Sequence, residues 1–420
     1  MHISVSSYYV NKYSAVAGSV QRDSIWFQLA VQERTFLDLL LPISRLIRTS
    51  VFNELDVAQN NVAQARSFSH NPKLQEYSSS KKLPCNLNIT LRSQEVPTNV
   101  NKIRPGDIDV VAAMGDSITA GYGIFDTVGL INTLYEARGA VFSIGGQETW
   151  ETILTLPNLL KLYNPKLYGY SLHSVSVSKG SKFNVAEGGA ISENMPYMAK
   201  VLVDRIKNDP KVDVEKQWKM VTIFIGHNDF CTNICYTTDY EKFLREHEAD
   251  MLEVLRILKK NLPRSIINIL PLFDIKSIVN SSGQGLFCTL SRIYYCPCLV
   301  ALQYQQMRSK YFEVLYKWQK LDLAIADYPE FHTENFTVIG HPFTTTYNIP
   351  TNEDGNVNYN YIGPDCFHLS QRAHAKVAND LWNSLFTPYE NKGSSNLKKE
   401  LQNFNCPSEE HPYIYTKENS

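Results

Sequence analysis

A chain of 420 residues with 43% hydrophobic content is long enough for one large α/β domain with extensions, and suits a globular protein. Its formal net charge of −1 gives no electrostatic reason to expect a nucleic-acid partner. No uninterrupted run of about eighteen apolar residues predicts a transmembrane helix, and the tail after Phe386 is polar.

In chain order, residues 1–82 read as an N-terminal extension without a catalytic block, ending in the linker-like Ser78-Ser79-Ser80-Lys81-Lys82. Met1 to Tyr13 is too polar for a secretory leader, and the apolar stretch Phe36 to Ile47 is broken by Asp38, Pro42 and Arg45. Strand-like and helix-like runs then alternate, as a parallel α/β sheet demands. Strands are predicted at 108–114, 181–186, 218–226, 264–273 and 336–343, and helices at about 191–208, 239–260, 302–325 and 370–386. Trp218 to Ile225 and Ser265 to Leu272 are nearly continuous apolar runs, as in strands covered on both faces. The last helix sets Val377, Leu381 and Leu385 four apart, one apolar face for docking on the sheet. The domain is read as 83–387 and residues 388–420 as a polar C-terminal tail. Residues 274–301 look like a cross-linked insertion near the rim of the sheet.

Three segments carry chemistry. Gly115-Asp116-Ser117 follows directly on the apolar run Ile108 to Met114, so a buried strand ends at a small hydroxyl-bearing turn. Serine is a poor nucleophile at neutral pH and needs a base within hydrogen-bond reach. Asp365-Cys366-Phe367-His368 supplies one: a carboxylate three residues before a histidine can accept from Nδ1–H and leave Nε2 for the serine proton. Gly226-His227-Asn228-Asp229, also after a strand-like run, offers an amide side chain to a developing oxyanion. Asp116 is read as bracing its own turn through backbone hydrogen bonds, Asp229 as doing the same for the Asn228 loop, and His374 as structural.

In this order the three segments resemble the blocks of the GDSL (SGNH) hydrolases, and the surrounding residues look like the phospholipase B branch of that family. The resemblance continues through Ser143-Ile144-Gly145-Gly146 and Leu156-Pro157-Asn158, and covers roughly residues 105–387. It implies a three-layer α/β/α sandwich with a central parallel sheet of about five strands. It also implies a Ser117, His368, Asp365 triad and an oxyanion hole made by the Ser117 amide, the Asn228 side chain and a glycine. In Asn184-Val185-Ala186-Glu187-Gly188-Gly189 the family's spacing selects Gly189 over Gly188. The implied activity is hydrolysis of acyl esters of glycerophospholipids or lysophospholipids through an acyl-enzyme, with phospholipid at a micelle or membrane surface as the partner. Neither a metal nor an organic cofactor is implied. A carboxylesterase or O-deacetylase on the same fold, or a non-catalytic lipid-binding protein, are the rival readings.

Cys85, Cys231, Cys235, Cys288, Cys296, Cys298, Cys366 and Cys406 form an even set. The C-x3-C and C-x-C spacings are not those of a zinc finger, and no paired histidines accompany them, so disulfides are expected over zinc. Asn88-Ile89-Thr90, Asn280-Ser281-Ser282 and Asn335-Phe336-Thr337 are glycosylation sequons. Together these favour a secreted, oxidising setting.

Overall fold

The computed structural model describes residues 71–76, 82–89, 91–125, 135–173, 179–279, 285–353, 356–393, 397–398 and 400–420. The residues before 71, most of the 78–82 linker, Thr90 and the 280–282 sequon lie outside this set. The described residues all belong to one compact unit.

Four strands form one parallel sheet in the order β1 (Ile108–Gly115), β2 (Trp218–Phe224), β3 (Ser265–Leu270) and β4 (Phe336–Gly340). Every residue of all four is buried. Side chains alternate across the pleat, and the sequence fills both sides. Val110, Ala112 and Met114 join one apolar cluster, while Val111 and Ala113 join another.

Helices are α1 (Ser117–Ala120), α2 (Leu156–Tyr163), α3 (Met195–Lys207), α4 (Tyr240–Asn261), α5 (Lys276–Val279), α6 (Gly285–Tyr295), α7 (Pro297–Val300), α8 (Arg308–Ala326) and α9 (Gln371–Leu385). Residues of α3 and α4 pack with the first cluster and those of α2 and α9 with the second, which makes the three-layer α/β/α sandwich. Helices α2, α4 and α9 start on side-chain caps: Thr155 accepts from Asn158 N–H, Asp239 from Lys242 N–H and Ser370 from Ala373 N–H. Val377, Leu381 and Leu385 of α9 are fully buried, as their spacing predicts.

Three strands are shorter than predicted: β2 stops at Phe224, and prolines explain the other two. Pro271 follows β3 immediately and Pro342 lies two residues beyond β4; neither has an N–H for the ladder. The predicted helices at 191–208 and 302–325 begin with 3₁₀ turns, Ser192–Asn194 and Leu302–Met307, before α3 and α8.

The fifth strand, expected at 181–186, is the main correction. No continuous strand forms there. Its place beside β1 is filled in two pieces: Tyr168 exchanges bonds with Asp109 and Val111, then Phe183 and Val185 pair with Ala113, and Glu187 N–H reaches Gly115. Lys182 at φ 52° turns the chain just before Phe183, so a regular ladder cannot run through it.

All eight cysteines are paired: Cys85–Cys406, Cys231–Cys296, Cys235–Cys298 and Cys288–Cys366. Three of these bridges tie the insertion to the segment after β2 and to the loop before α9. The fourth joins the start of the domain to the C-terminal segment. That segment, polar in sequence, runs back over the domain: Ile414 is fully buried and donates to Ile103 O, Tyr415 donates to Leu385 O, and Asn405 O accepts from Trp382 Nε1. Among the described residues no helix is long and apolar enough to cross a membrane.

Candidate active site

β1 ends in a turn that is built around a buried carboxylate. Asp116, fully buried, caps the single helical turn α1 by accepting from Ile118 N–H at 2.9 Å. Ser117 is thereby fixed as the first residue of α1, half-exposed at the carboxyl end of the strand. Open α/β sheets place their sites at such ends.

The loop Gly363–Ser370 brings the other two residues to it. Asp365 is 1% and His368 2% exposed. Asp365 Oδ1 accepts from the amides of Phe367 and His368, and Oδ2 lies 2.6 Å from His368 Nδ1. An ionised carboxylate only accepts, so Nδ1 carries the hydrogen and Nε2 presents its lone pair. That nitrogen is 2.8 Å from Ser117 Oγ. Burial alone would push the Asp365 carboxyl up. The positive charge of His368 when protonated, its hydrogen bond and the two loop amides outweigh burial and hold the carboxyl below the ordinary aspartate value.

The loop is held in an uncommon conformation. Cys366, between the carboxylate and the base, sits at φ 61°, a left-handed backbone rarely taken by residues with a Cβ. Its disulfide to Cys288 and its N–H bond to Gly363 O secure it. Gly123 fills the space behind: it has φ 70°, and a Cβ there would lie 2.7 Å from His368 Cβ and 3.1 Å from Asp365 Oδ2. Tyr122, beside it, places its ring 5.6 Å from the imidazole.

Asn228 follows β2, half-exposed, and donates one amide hydrogen from Nδ2 to Ala190 O at 2.9 Å. A primary amide has two such hydrogens, so the second is left for another acceptor. Ala190 is the neighbour of Gly189, which is exposed at φ 80°. Gly188 is glycine for a different reason: a Cβ there would lie 2.7 Å from the Tyr122 hydroxyl. Asp229 also braces the glycine-bearing loop, both carboxylate oxygens accepting from Ser192 N–H at 3.1 Å. Burial pushes its carboxyl well up, against the pull of the Ser192 amide and its own, with Asp116 and Asp250 adding to the rise.

Ser117, Asn228 and His368 share one cleft. Its walls are mostly apolar, formed by Ile118, Phe273, Ile275, Ile278, Tyr347, Ile349, Phe367 and Leu369, with Asp274 and Ser277 among them. Gly189 is not among the lining residues, although its neighbour holds Asn228 in place.

Two arrangements were beyond the sequence reading. His227, in the variable position of its block, also lines the cleft. Its Nε2 accepts from Phe273 N–H, so Nδ1–H donates to Asp116 Oδ2 at 2.9 Å. The carboxylate that caps the nucleophile turn is thus locked from behind by a histidine on the adjacent strand end. Elsewhere, Ser192 Oγ, His247 and Asp322 form another Ser-His-Asp relay, at 2.7 and 2.9 Å. All three are buried and His247 stacks on Trp318, so no ester can reach this serine, and the relay is structural. Its members are 55 and 75 residues apart, without a short motif to reveal them. His374, read as structural, is fully buried and its Nδ1 accepts from Phe142 N–H.

A model of the GDSL-like lipase/acylhydrolase family matches residues 111–381, which hold most of β1, the other three strands, the cleft and the residues that line it. The chain belongs to that family. It is 38% identical over 336 residues to human membrane-associated phospholipase B1, and 34% identical over 339 residues to the rat protein of the same name. The mouse protein is 34% identical over 333 residues. Each match takes in 78% of this chain but only 22% of the relative.

Proposed function

We propose that the chain is a serine esterase in which Ser117 is the nucleophile, His368 the general base and Asp365 the residue that orients it. The observation that carries the reading is the continuous relay from Asp365 through His368 to Ser117, at the mouth of an apolar cleft. As Ser117 Oγ attacks the ester carbonyl, its proton passes to Nε2, and Asp365 stabilises the imidazolium that forms. The oxyanion is met by the Ser117 amide, the Gly189 amide and the second Nδ2–H of Asn228. His368 then protonates the leaving alcohol, and water drawn to the same base releases the acid from the acyl-enzyme. No step needs a cofactor, because the imidazole–carboxylate pair moves every proton.

The substrate we propose is the acyl ester of a glycerophospholipid or lysophospholipid, presented at a micelle or membrane surface, by a protein that works outside the cell. The names of its relatives support the phospholipid, the apolar walls of the cleft suit an acyl chain, and the four disulfides suit an oxidising compartment. A short-chain carboxylesterase or a sugar O-deacetylase would leave those walls facing water, which disfavours both rivals. The test is the products released from a mixed phospholipid extract, read beside fluorophosphonate labelling of the parent and Ser117→Ala. Free fatty acid from the parent alone, with label on the parent alone, is the expected result. A labelled protein that releases acetate from sugar esters, and no fatty acid, would replace the substrate while keeping the mechanism.

A further inference from the structure

Outside the cleft, α6 departs furthest from an ordinary polar surface. Leu286, Phe287, Leu290, Ile293 and Tyr294 are all exposed, Leu286 and Tyr294 at 73% each. Positions 286, 290, 293 and 294 follow the i, i+4, i+7, i+8 spacing of one helical stripe, with 287 beside it. The opposite side is buried through Cys288 and Arg292. An amphipathic helix normally turns its apolar side to the core; this one turns an apolar stripe outward. Singly exposed apolar residues are ordinary, but a contiguous stripe of five on one short helix marks an interaction site.

Charge identifies the kind of partner. From Ile275 to Phe312 there is no Asp or Glu, in a chain where acidic residues are 42 of 420. The same 38 residues carry Lys276, Arg292, Arg308 and Lys310, of which Arg292 is buried and Lys310 pairs with Glu313. An anionic surface would therefore meet no carboxylate from this segment, which Asp274 and Glu313 bound on either side. It would find the exposed Lys276, while Arg308 is half-buried and donates to Val300 O. A second copy docked face to face would bring these cations against themselves.

The helix is also fastened to the catalytic loop. Cys288 is bonded to Cys366, Ser291 Oγ donates to Asp365 O, and Tyr295 stacks on Phe367 and meets His368 edge-on at 4.9 Å between ring centroids. Immediately upstream, Ile275 and Ile278 are walls of the cleft.

We propose that α6 is the element by which this chain docks on an anionic phospholipid surface. Its stripe enters the acyl boundary, and its carboxylate-free flanks face the headgroups. The cleft then opens onto the layer that holds its substrate. The proposal rests on the phospholipid reading above and adds the surface through which that reading operates.

The test uses the full chain carrying Ser117→Ala, so that lipid is not consumed. It is sedimented with vesicles of phosphatidylcholine alone, or of phosphatidylcholine with phosphatidylglycerol. Binding to the mixed vesicles is expected, weakened by salt, and reduced roughly tenfold or more by Leu286→Asp with Leu290→Asp. Both positions are exposed, and an unchanged urea midpoint confirms that the fold is intact. Equal binding by the double variant overturns the proposal. So does a dimer in light scattering that the double variant turns into monomer, because a second copy then covers the stripe. Absence of vesicle binding also overturns it, while turnover of soluble p-nitrophenyl butyrate by the parent leaves the esterase reading standing. No turnover of any ester removes that reading instead.

Discussion

Gly123→Ala tests the active-site geometry without touching a residue assigned to the chemistry. The glycine has φ 70°, so any L residue there carries a left-handed penalty of about 1–2 kcal/mol. The added methyl would also stand 2.7 Å from His368 Cβ, against an ordinary carbon contact of about 3.5–4.0 Å. Asp365 Oδ2 and Oδ1, at 3.1 and 3.3 Å, leave it little room on the other side. Relief requires the imidazole to retreat by roughly 1 Å, and misplacement on that scale lowers turnover about 10²-fold. The assay is kcat on a soluble ester together with the rate of fluorophosphonate labelling; both should fall, because both need Ser117 activated by His368. Gly285→Ala separates strain from clash, since that glycine has φ 78° but nothing within 4 Å of where its methyl would stand. It should lose comparable stability and keep kcat. A Gly123→Ala protein that unfolds no later than Gly285→Ala, yet turns over within a few-fold of the parent, would refute the idea that this glycine sets the position of the base.

Ser117→Ala and His368→Ala should each lower kcat by several orders of magnitude and their combination little further, because they act as a unit, and Asp365→Asn should cost less than either; near-parental turnover of purified Ser117→Ala would end the assignment. Asn228→Ala should lower kcat by roughly 10²–10³ with KM little changed, and a defect confined to KM would give Asn228 another role. Burial holds His374 down to about 3, with the charge of His368 adding to the effect. An unfolded histidine takes its proton near 6.5, so the unfolded state binds more protons between those values, and stability must fall as pH drops through that window, by up to about 1.4 kcal/mol per unit. His374→Asn, which keeps an acceptor but does not titrate, should flatten that part of the urea-midpoint profile; an unchanged slope would exonerate His374.

The layers and the triad were legible because each is carried by local pattern. Continuous apolar runs gave β1 to β3, and the three blocks hold Ser117, Asn228, Asp365 and His368 within a few residues of a recognisable turn. What could not be read depends on partners distant in sequence. Asp116 and His227 are 111 residues apart, and nothing in either block shows that the second completes the cap of the first. The alternation of Phe183 and Val185 with polar neighbours suits a strand at 181–186, but the backbone at Lys182 limits it to bridges. Eight cysteines allow 105 pairings, so a cross-linked insertion was visible while its attachment to the catalytic loop was not. The polar look of residues 388–420 is true of its composition and silent about Ile414, whose buried side chain and backbone bond help seat the segment, with Thr416 buried beside it.

The bridge between Cys85 and Cys406 spans 321 residues but joins Cα atoms only 5.1 Å apart. Nearly the whole hydrolase domain therefore hangs as a closed ring from one covalent point. Tension applied along the chain from outside would first peel the short contacts of residues 71–76 and 407–420, then pass through the sulfur pair, leaving the sheet between them unloaded. A single protease cut within the ring would release no fragment, and the two pieces would separate only after reduction. Tethered by its ends, the domain would behave as a bead on a line, carried by the strand without transmitting its pull to Ser117.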